Sequence, residues 1–234
     1  DCSSIVKSLV ASDPKIRKLL SDERTSHVDI RCRVCVEDGV EGNARATLMD
    51  FPFQIVLCSN RLADKKAVRE ALIHELVHAF QYDIVINGDS SSIKNLQNLP
   101  LWMVEGLAEY LSLGRVDPFT AMWMRDAVLS NDVPGFKQLE NPRYFPYRYG
   151  QAFWAFLAGL YGDGIIRDMF SNVALHGLEV GTAITTGLTL DQISERFQNA
   201  IRTYYEPFLG DKKERLIGKE LVSSKNGGRL NVSP

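Results

Sequence analysis

A short motif most constrains how this chain can fold. His74, Glu75 and His78 occur within five residues, in an otherwise apolar run. Because a helix turns about once every 3.6 residues, the two histidines lie on one face, one turn apart. Two imidazoles at this spacing can bind one zinc ion, and Glu75 beside them can activate a zinc-bound water. A chance match is the alternative, but the apolar flanks predict a buried helix, where unpartnered imidazoles and carboxylates would be costly.

A second helix pattern supplies a candidate third ligand. A catalytic zinc site needs three protein ligands and an open fourth position. Glu105 follows His78 by 27 residues, in a segment that begins at Pro100 and ends near Gly114. Glu109 lies one turn further along the same face, where it can bond a ligand histidine. Two solvated surface acids are the alternative, but apolar neighbours at helical spacing favour an inward-facing pair.

From 74 to about 208, the sequence resembles the gluzincin (thermolysin-like) metallopeptidases, within them the peptidase-MA-like domain found upstream of TolB-type propellers. The matching pieces are 74–83, 101–110 and 144–151. This resemblance implies that His74, His78 and Glu105 are the zinc ligands, that Glu75 is the general base and that Glu109 supports a ligand. It also implies that Tyr147 stabilises the oxyanion, with Tyr149 as the alternative donor. A structural role for either tyrosine stays open, because the surrounding stretch is rich in aromatic residues.

Residues 1–80 resemble a different family, the mitochondrial ATP-synthase-assembly metalloproteases. The matching pieces are 31–36, 54–62 and 74–80. That family has an aspartate directly after the shared His-Ala-Phe, whereas this chain has Gln81. Because the two resemblances meet in one helix, we formulate the hypothesis that the chain is a chimera, natural or engineered. Asp83 as third ligand in place of Glu105 would favour the mitochondrial type.

Other signals concern partners and compartment. A formal net charge of -2 gives no electrostatic case for nucleic acid, and no run reaches the ~18 apolar residues of a transmembrane helix. We expect a peptide or protein substrate, with the oligomeric state left open. Cys32 and Cys35 are compatible with a disulfide, buried thiols or half of a second zinc site. The resemblances imply the bacterial periplasm or cell envelope, or the mitochondrial intermembrane space.

Local signals predict several helix boundaries. Asp117 followed by Pro118 predicts a helix start. Thr189 and Gln192 form a capping-box pattern for a last helix, which we expect to end before Pro207. The polar stretch 87–99 predicts a loop.

These observations predict a zincin-like α+β domain over residues 1–208. We expect a small N-terminal sheet with the active-site helix, then a mostly helical C-terminal part. Residues 209–234 read as a polar linker or tail that resembles the start of a truncated propeller. The predicted function is zinc-dependent hydrolysis of peptide bonds, with Glu75 activating the zinc-bound water. One alternative is an assembly factor or chaperone that retains the zinc fold, with or without catalysis. Another is a structural zinc module with a closed fourth position.

Overall fold

The computed structural model describes residues 31–35, 44–47, 54–58, 65–86 and 89–209. Three short strands come first: β1 (Arg31–Cys35), β2 (Ala44–Thr47) and β3 (Gln54–Cys58). The central strand β3 pairs parallel with β1 and antiparallel with β2. Ile55 of β3 lies opposite Cys32 on one side and Ala46 on the other.

The rest of the described chain is mostly helical. Its α-helices are α1 (Lys65–Ile86), α2 (Leu101–Leu113), α3 (Pro118–Leu129), α4 (Pro146–Tyr161), α5 (Ile165–His176), α6 (Leu178–Thr186) and α7 (Leu190–Leu209). Two 3-10 helices lie between them, at Ser90–Asn98 and Phe136–Glu140.

The predicted α+β class is wrong for the main body of the protein. Over residues 65–86 and 89–209, 82% of the residues are helical and none lies in a strand. The core described there is built mainly from helix faces, with aromatic residues such as Trp102, Phe136 and Phe153 packed at its centre. The expectation was wrong because short alternating segments before residue 60 do not set the class of the whole domain, whose described core is closed by helices packing on helices.

The backbones of α2 and α4 pack in direct contact. Gly106 of α2 faces Gly150 of α4, and a Cβ atom on Gly150 would overlap the carbonyl oxygen of Trp102. The indole of Trp154 donates a 2.9 Å hydrogen bond to the carbonyl of Met103 across the same contact. This close approach sets the polar residues of α2 directly beside the first turn of α4.

Several predicted boundaries are confirmed. Asp117 caps α3 and accepts a hydrogen bond from the backbone of Thr120 at 2.8 Å. The capping box at the start of α7 is present, because Thr189 and Gln192 exchange side-chain to backbone hydrogen bonds of 2.9 and 3.2 Å.

Two local expectations are wrong. The stretch 87–99, expected to be a loop, contains the 3-10 helix Ser90–Asn98, which Asp89 caps through a hydrogen bond from Ser91. Pro207 lies inside α7 instead of after its end. A proline in the last turn removes only one backbone hydrogen bond, so the helix continues past it.

In the described part of the chain, no helix is both long enough and apolar enough to cross a membrane. The side chains of Cys32 and Cys35 lie outside the described residues, as does the predicted tail beyond residue 209.

Candidate metal centre

Helix α1 presents both motif histidines on one face. The rings of His74 and His78 lie 4.9 Å apart between centroids and are nearly perpendicular. Their side chains are 14% and 13% exposed. The apolar neighbours are more deeply buried, because Leu76 and Val77 pack into the core. The sequence therefore anchors α1 by its apolar face and leaves the two imidazoles at the edge of that core.

Helix α2 brings a carboxylate to both imidazoles. Glu105 Oε2 lies 3.2 Å from His74 Nε2 and 3.4 Å from His78 Nε2. One donor atom from each of these three residues lies within 4.8 Å of the other two. Ligand atoms around a tetrahedral zinc ion are about 3.4 Å apart, since each bond is about 2.0–2.2 Å long. The spacing and the donor types therefore fit a zinc ion.

The second acid of α2 contacts the same histidine from behind. Glu109 Oε1 lies 2.9 Å from His74 Nδ1, and the carboxylate is only 11% exposed. When Nδ1 carries the hydrogen and donates it to Glu109, Nε2 keeps its lone pair and points toward Glu105. The structure thus brings Glu109 to the position in which a supporting residue was expected.

His78 has a supporting residue that the sequence analysis missed. Its Nδ1 lies 2.8 Å from Gln81 Oε1, and Gln81 Nε2 donates a 2.8 Å hydrogen bond to the carbonyl of Val104 in α2. Because the amide of Gln81 donates to Val104, its oxygen is free to accept from His78. Gln81 is 3% exposed. A glutamine three residues after a motif histidine was the available signal, since it lies on the same helical face.

A buried arginine was also missed. Arg148, in the first turn of α4, places Nη2 2.8 Å from Glu109 Oε2 and Nη1 3.2 Å from Asp117 Oδ1. The three side chains are 17%, 11% and 10% exposed. The available signal was an arginine within an aromatic, core-facing helix, where a guanidinium needs carboxylate partners.

The two candidate tyrosines have different surroundings. The ring of Tyr147 stacks on His74 at 6.0 Å. Burial, the charge of Glu105 and a hydrogen bond to Glu105 raise the pKa of Tyr147 to about 12. Tyr149 is 4% exposed and packs edge-on against Tyr144 and Trp123. The structure thus brings Tyr147, and not Tyr149, to the histidines.

Glu75 is buried beside the histidines on α1, with 8% exposure. Its charge helps to raise the pKa of Tyr147 and of Tyr82, after burial and the charge of Glu105. Asp83, the alternative third ligand, is half-buried on α1 and does not belong to the group of converging donors. The geometry therefore favours Glu105 over Asp83.

The electrostatics of the centre follow from these contacts. Burial lowers the pKa of His74, but hydrogen bonds to Glu105 and Glu109 outweigh it and raise that pKa to about 9. Burial raises the pKa of Glu105, but hydrogen bonds from His74 and His78 lower it to about 2. The carboxylates of Glu105 and Glu109 therefore contact His74 from its two ring nitrogens, and their negative charge favours a bound cation.

Comparison with known families supports part of this interpretation. Residues 1–95 match the model of the Peptidase M76 family, so the predicted resemblance of the N-terminal part to the mitochondrial ATP-synthase-assembly metalloproteases is confirmed. The match points to a metallopeptidase-family protein. It contains His74, Glu75 and His78 but ends before Glu105.

The matched segment extends past residue 80, where we expected the resemblance to end, and it includes all of α1. The resemblance of the C-terminal part to gluzincins and the chimera hypothesis stay predictions. No curated protein and no solved structure shows a significant match to this sequence.

Proposed function

We propose that this protein is a zinc-dependent metallopeptidase of the gluzincin type. The observation that carries the proposal is the convergence of His74 Nε2, His78 Nε2 and Glu105 Oε2 at spacings of 3.2 and 3.4 Å. The family match over residues 1–95 supports the same class of protein.

The chain's own residues have distinct roles in the proposed reaction. A zinc ion held by His74, His78 and Glu105 would supply polarisation of the scissile carbonyl and a more acidic water at neutral pH. Glu75 receives the proton of that water on a carboxylate oxygen and passes it to the leaving amine. The hydroxyl of Tyr147 donates a hydrogen bond to the carbonyl oxygen as it becomes negative. A pKa of about 12 keeps this hydroxyl protonated at neutral pH.

The supporting residues keep the imidazoles in the orientation that this reaction needs. In the proposed site, Nδ1 of His74 donates a hydrogen bond to Glu109 and Nδ1 of His78 donates one to Gln81. Both Nε2 atoms are then available as ligands. The two Nδ1 partners differ, because His74 has a carboxylate there and His78 has a neutral amide.

A second candidate function rests on the family match. The mitochondrial-type family is associated with ATP-synthase assembly, and the matched segment ends before Glu105. An assembly factor that retains the zinc fold without needing hydrolysis is therefore the alternative. It predicts binding of zinc and of a protein partner, with no cleavage.

Hydrolysis of an unstructured protein such as casein tests the proposal. We expect cleavage that a chelator abolishes and added zinc restores. Glu75→Gln should bind zinc like the wild type while turnover falls by about 10²–10⁴-fold, because the general base is gone. Full zinc-dependent activity in Glu75→Gln would rule the mechanism out. Zinc binding without any cleavage by the wild type would favour the assembly factor.

A further inference from the structure

Arg148 connects the candidate metal centre to two neighbouring helices. One guanidinium nitrogen contacts Glu109 of α2, and the other contacts Asp117, the residue that caps α3. Arg148 itself lies in the first turn of α4. A single side chain therefore joins three helices at a point next to the metal ligands.

The two oxygens of Glu109 are divided between two partners. Oε1 lies 2.9 Å from His74 Nδ1, and Oε2 lies 2.8 Å from Arg148 Nη2. Because both oxygens belong to one planar carboxylate, holding Oε2 restricts where Oε1 can lie. The ion pair with Arg148 thus restricts the direction from which Glu109 accepts the His74 hydrogen bond.

The position of Arg148 is determined by its second carboxylate. Asp117 Oδ1 accepts from Arg148 Nη1 at 3.2 Å and from the backbone of Thr120 at 2.8 Å. The first turn of α3 therefore holds Asp117, and Asp117 holds the guanidinium. A planar fork with donors on two nitrogens suits this task, whereas a lysine has a single nitrogen.

We propose that Arg148 is a positioning residue that, anchored by Asp117, orients Glu109 and through it the ligand His74. This inference rests on the proposed metal site and goes beyond it, because it assigns a determinant of metal affinity outside the ligands and their direct partners. Among the hydrogen bonds and ion pairs of the described residues, those of Arg148 join it to Glu109 and Asp117, and none joins it to His74, His78 or Glu105.

A double-mutant cycle on metal affinity tests the inference without any substrate. The zinc dissociation constant is measured by competition with a chromophoric chelator for Arg148→Met, Glu109→Gln and the double variant. We expect Arg148→Met to weaken zinc binding about 10-fold or more. In the Glu109→Gln background, Arg148→Met should change zinc affinity by less than about 2-fold, because Glu109, through which Arg148 acts on His74, is already altered.

An exposed arginine provides the matched control. Arg115 Nη2 also lies 2.8 Å from a carboxylate, Asp163 Oδ1, but these side chains are 50% and 69% exposed. Arg115→Met should leave zinc affinity unchanged, since it alters an ion pair of equal length at the surface. The visible absorption spectrum of the cobalt-loaded protein gives a second readout, which Arg148→Met should change and Arg115→Met should not.

If Arg148→Met fails to fold, the same cycle with Arg148→Lys replaces it, because lysine keeps the charge but not the fork. We expect Arg148→Lys to weaken zinc binding about 3–10-fold in the wild-type background and not in the Glu109→Gln background. Equal losses in both backgrounds, or no loss in either, would overturn the inference. A wild-type chain that binds no zinc would overturn the proposed function itself, whereas zinc binding indifferent to Arg148 would overturn only the role of Arg148.

Discussion

His74 Nδ1 lies 2.9 Å from Glu109 Oε1, and this contact determines which ring nitrogen of His74 is available to a metal. The imidazole comes from α1 and the carboxylate from α2, so the relationship depends on how the two helices pack. Glu105 lies one turn before Glu109 on α2. Its Oε2 atom lies 3.2 Å from Nε2, the other ring nitrogen of His74. One helix face of α2 therefore contacts both sides of one histidine.

Removing the Glu109 carboxylate should weaken metal binding without removing a ligand. We expect Glu109→Ala to reduce zinc affinity about 10–100-fold, because His74 loses the acceptor that orients it. Glu109→Gln keeps an acceptor oxygen and should lose less. Chelator competition measures both, with the exposed Glu140→Ala as control. Unchanged affinity in Glu109→Ala would contradict the assigned role.

The proposed stabilisation of the oxyanion is assigned to Tyr147 and not to Tyr149. Tyr147→Phe should lower kcat by about 10²-fold or more in fully zinc-loaded protein, because it removes the hydroxyl that donates to the developing oxyanion. Tyr149→Phe, the control on the same helix, should keep kcat, since Tyr149 packs in the core against Tyr144 and Trp123. Steady-state kinetics on a peptide substrate measures the difference, and equal losses in both variants would exclude a specific role for Tyr147.

The metal-free protein should have a pH-dependent stability. The pKa of His74 is raised from 6.5 to about 9. The contribution of His74 to the free energy of unfolding is therefore complete below pH 6.5 and is lost as the pH rises through 9. The pKa of Glu105 is lowered from 4.5 to about 2, so its contribution is complete above pH 4.5 and is lost as the pH falls through 2. Both pKa shifts include the hydrogen bond between His74 and Glu105, so the two contributions share one contact. Stability should therefore be greatest between pH 4.5 and 6.5.

Urea unfolding of chelator-treated protein measures this dependence. Between about pH 6 and pH 9.5, we expect the wild type to lose on the order of 3 kcal/mol of unfolding free energy, the equivalent of the His74 shift. His74→Gln should lose much less over the same range. A wild type whose loss equals that of His74→Gln would show that the contacts of His74 do not stabilise the metal-free fold.

The contact between α2 and α4 should tolerate no added methyl group. Gly150→Ala should destabilise the protein by about 1–3 kcal/mol or more, because its Cβ would overlap the backbone of Trp102. Gly159→Ala, on the same helix, has no atoms within 4 Å of the added Cβ and should be neutral or stabilising by up to about 1 kcal/mol. Thermal unfolding compares them, and similar melting temperatures would contradict the packing described here.

Residues that lie on the same face of one helix could be predicted from the sequence. His74 and His78 share a face of α1, and Glu105 and Glu109 share a face of α2, because residues four apart are neighbours on any helix. The structure brings all four together, as the pattern predicted. The role of Glu75 as general base stays a prediction, based on its position between the two histidines.

Residues that act across helices were harder to predict. The tie between Gln81 and Val104 and the contacts of Arg148 depend on tertiary packing, which has no local signature. The predicted fold class was wrong for a related reason. Alternating segments near the N-terminus do not indicate which elements pack against the later helices. The short helix α6 was also missed, because Gly177, with φ of 80°, ends α5 and directly precedes α6.

The central claim is that His74, His78 and Glu105 together hold one zinc ion. Elemental analysis of the purified wild type and of Glu105→Ala, after gel filtration in metal-free buffer, tests it most directly. We expect about one zinc per chain in the wild type and a much lower content in Glu105→Ala, with both proteins folded by circular dichroism. A wild type without zinc, or a Glu105→Ala variant that retains a full equivalent, would contradict it.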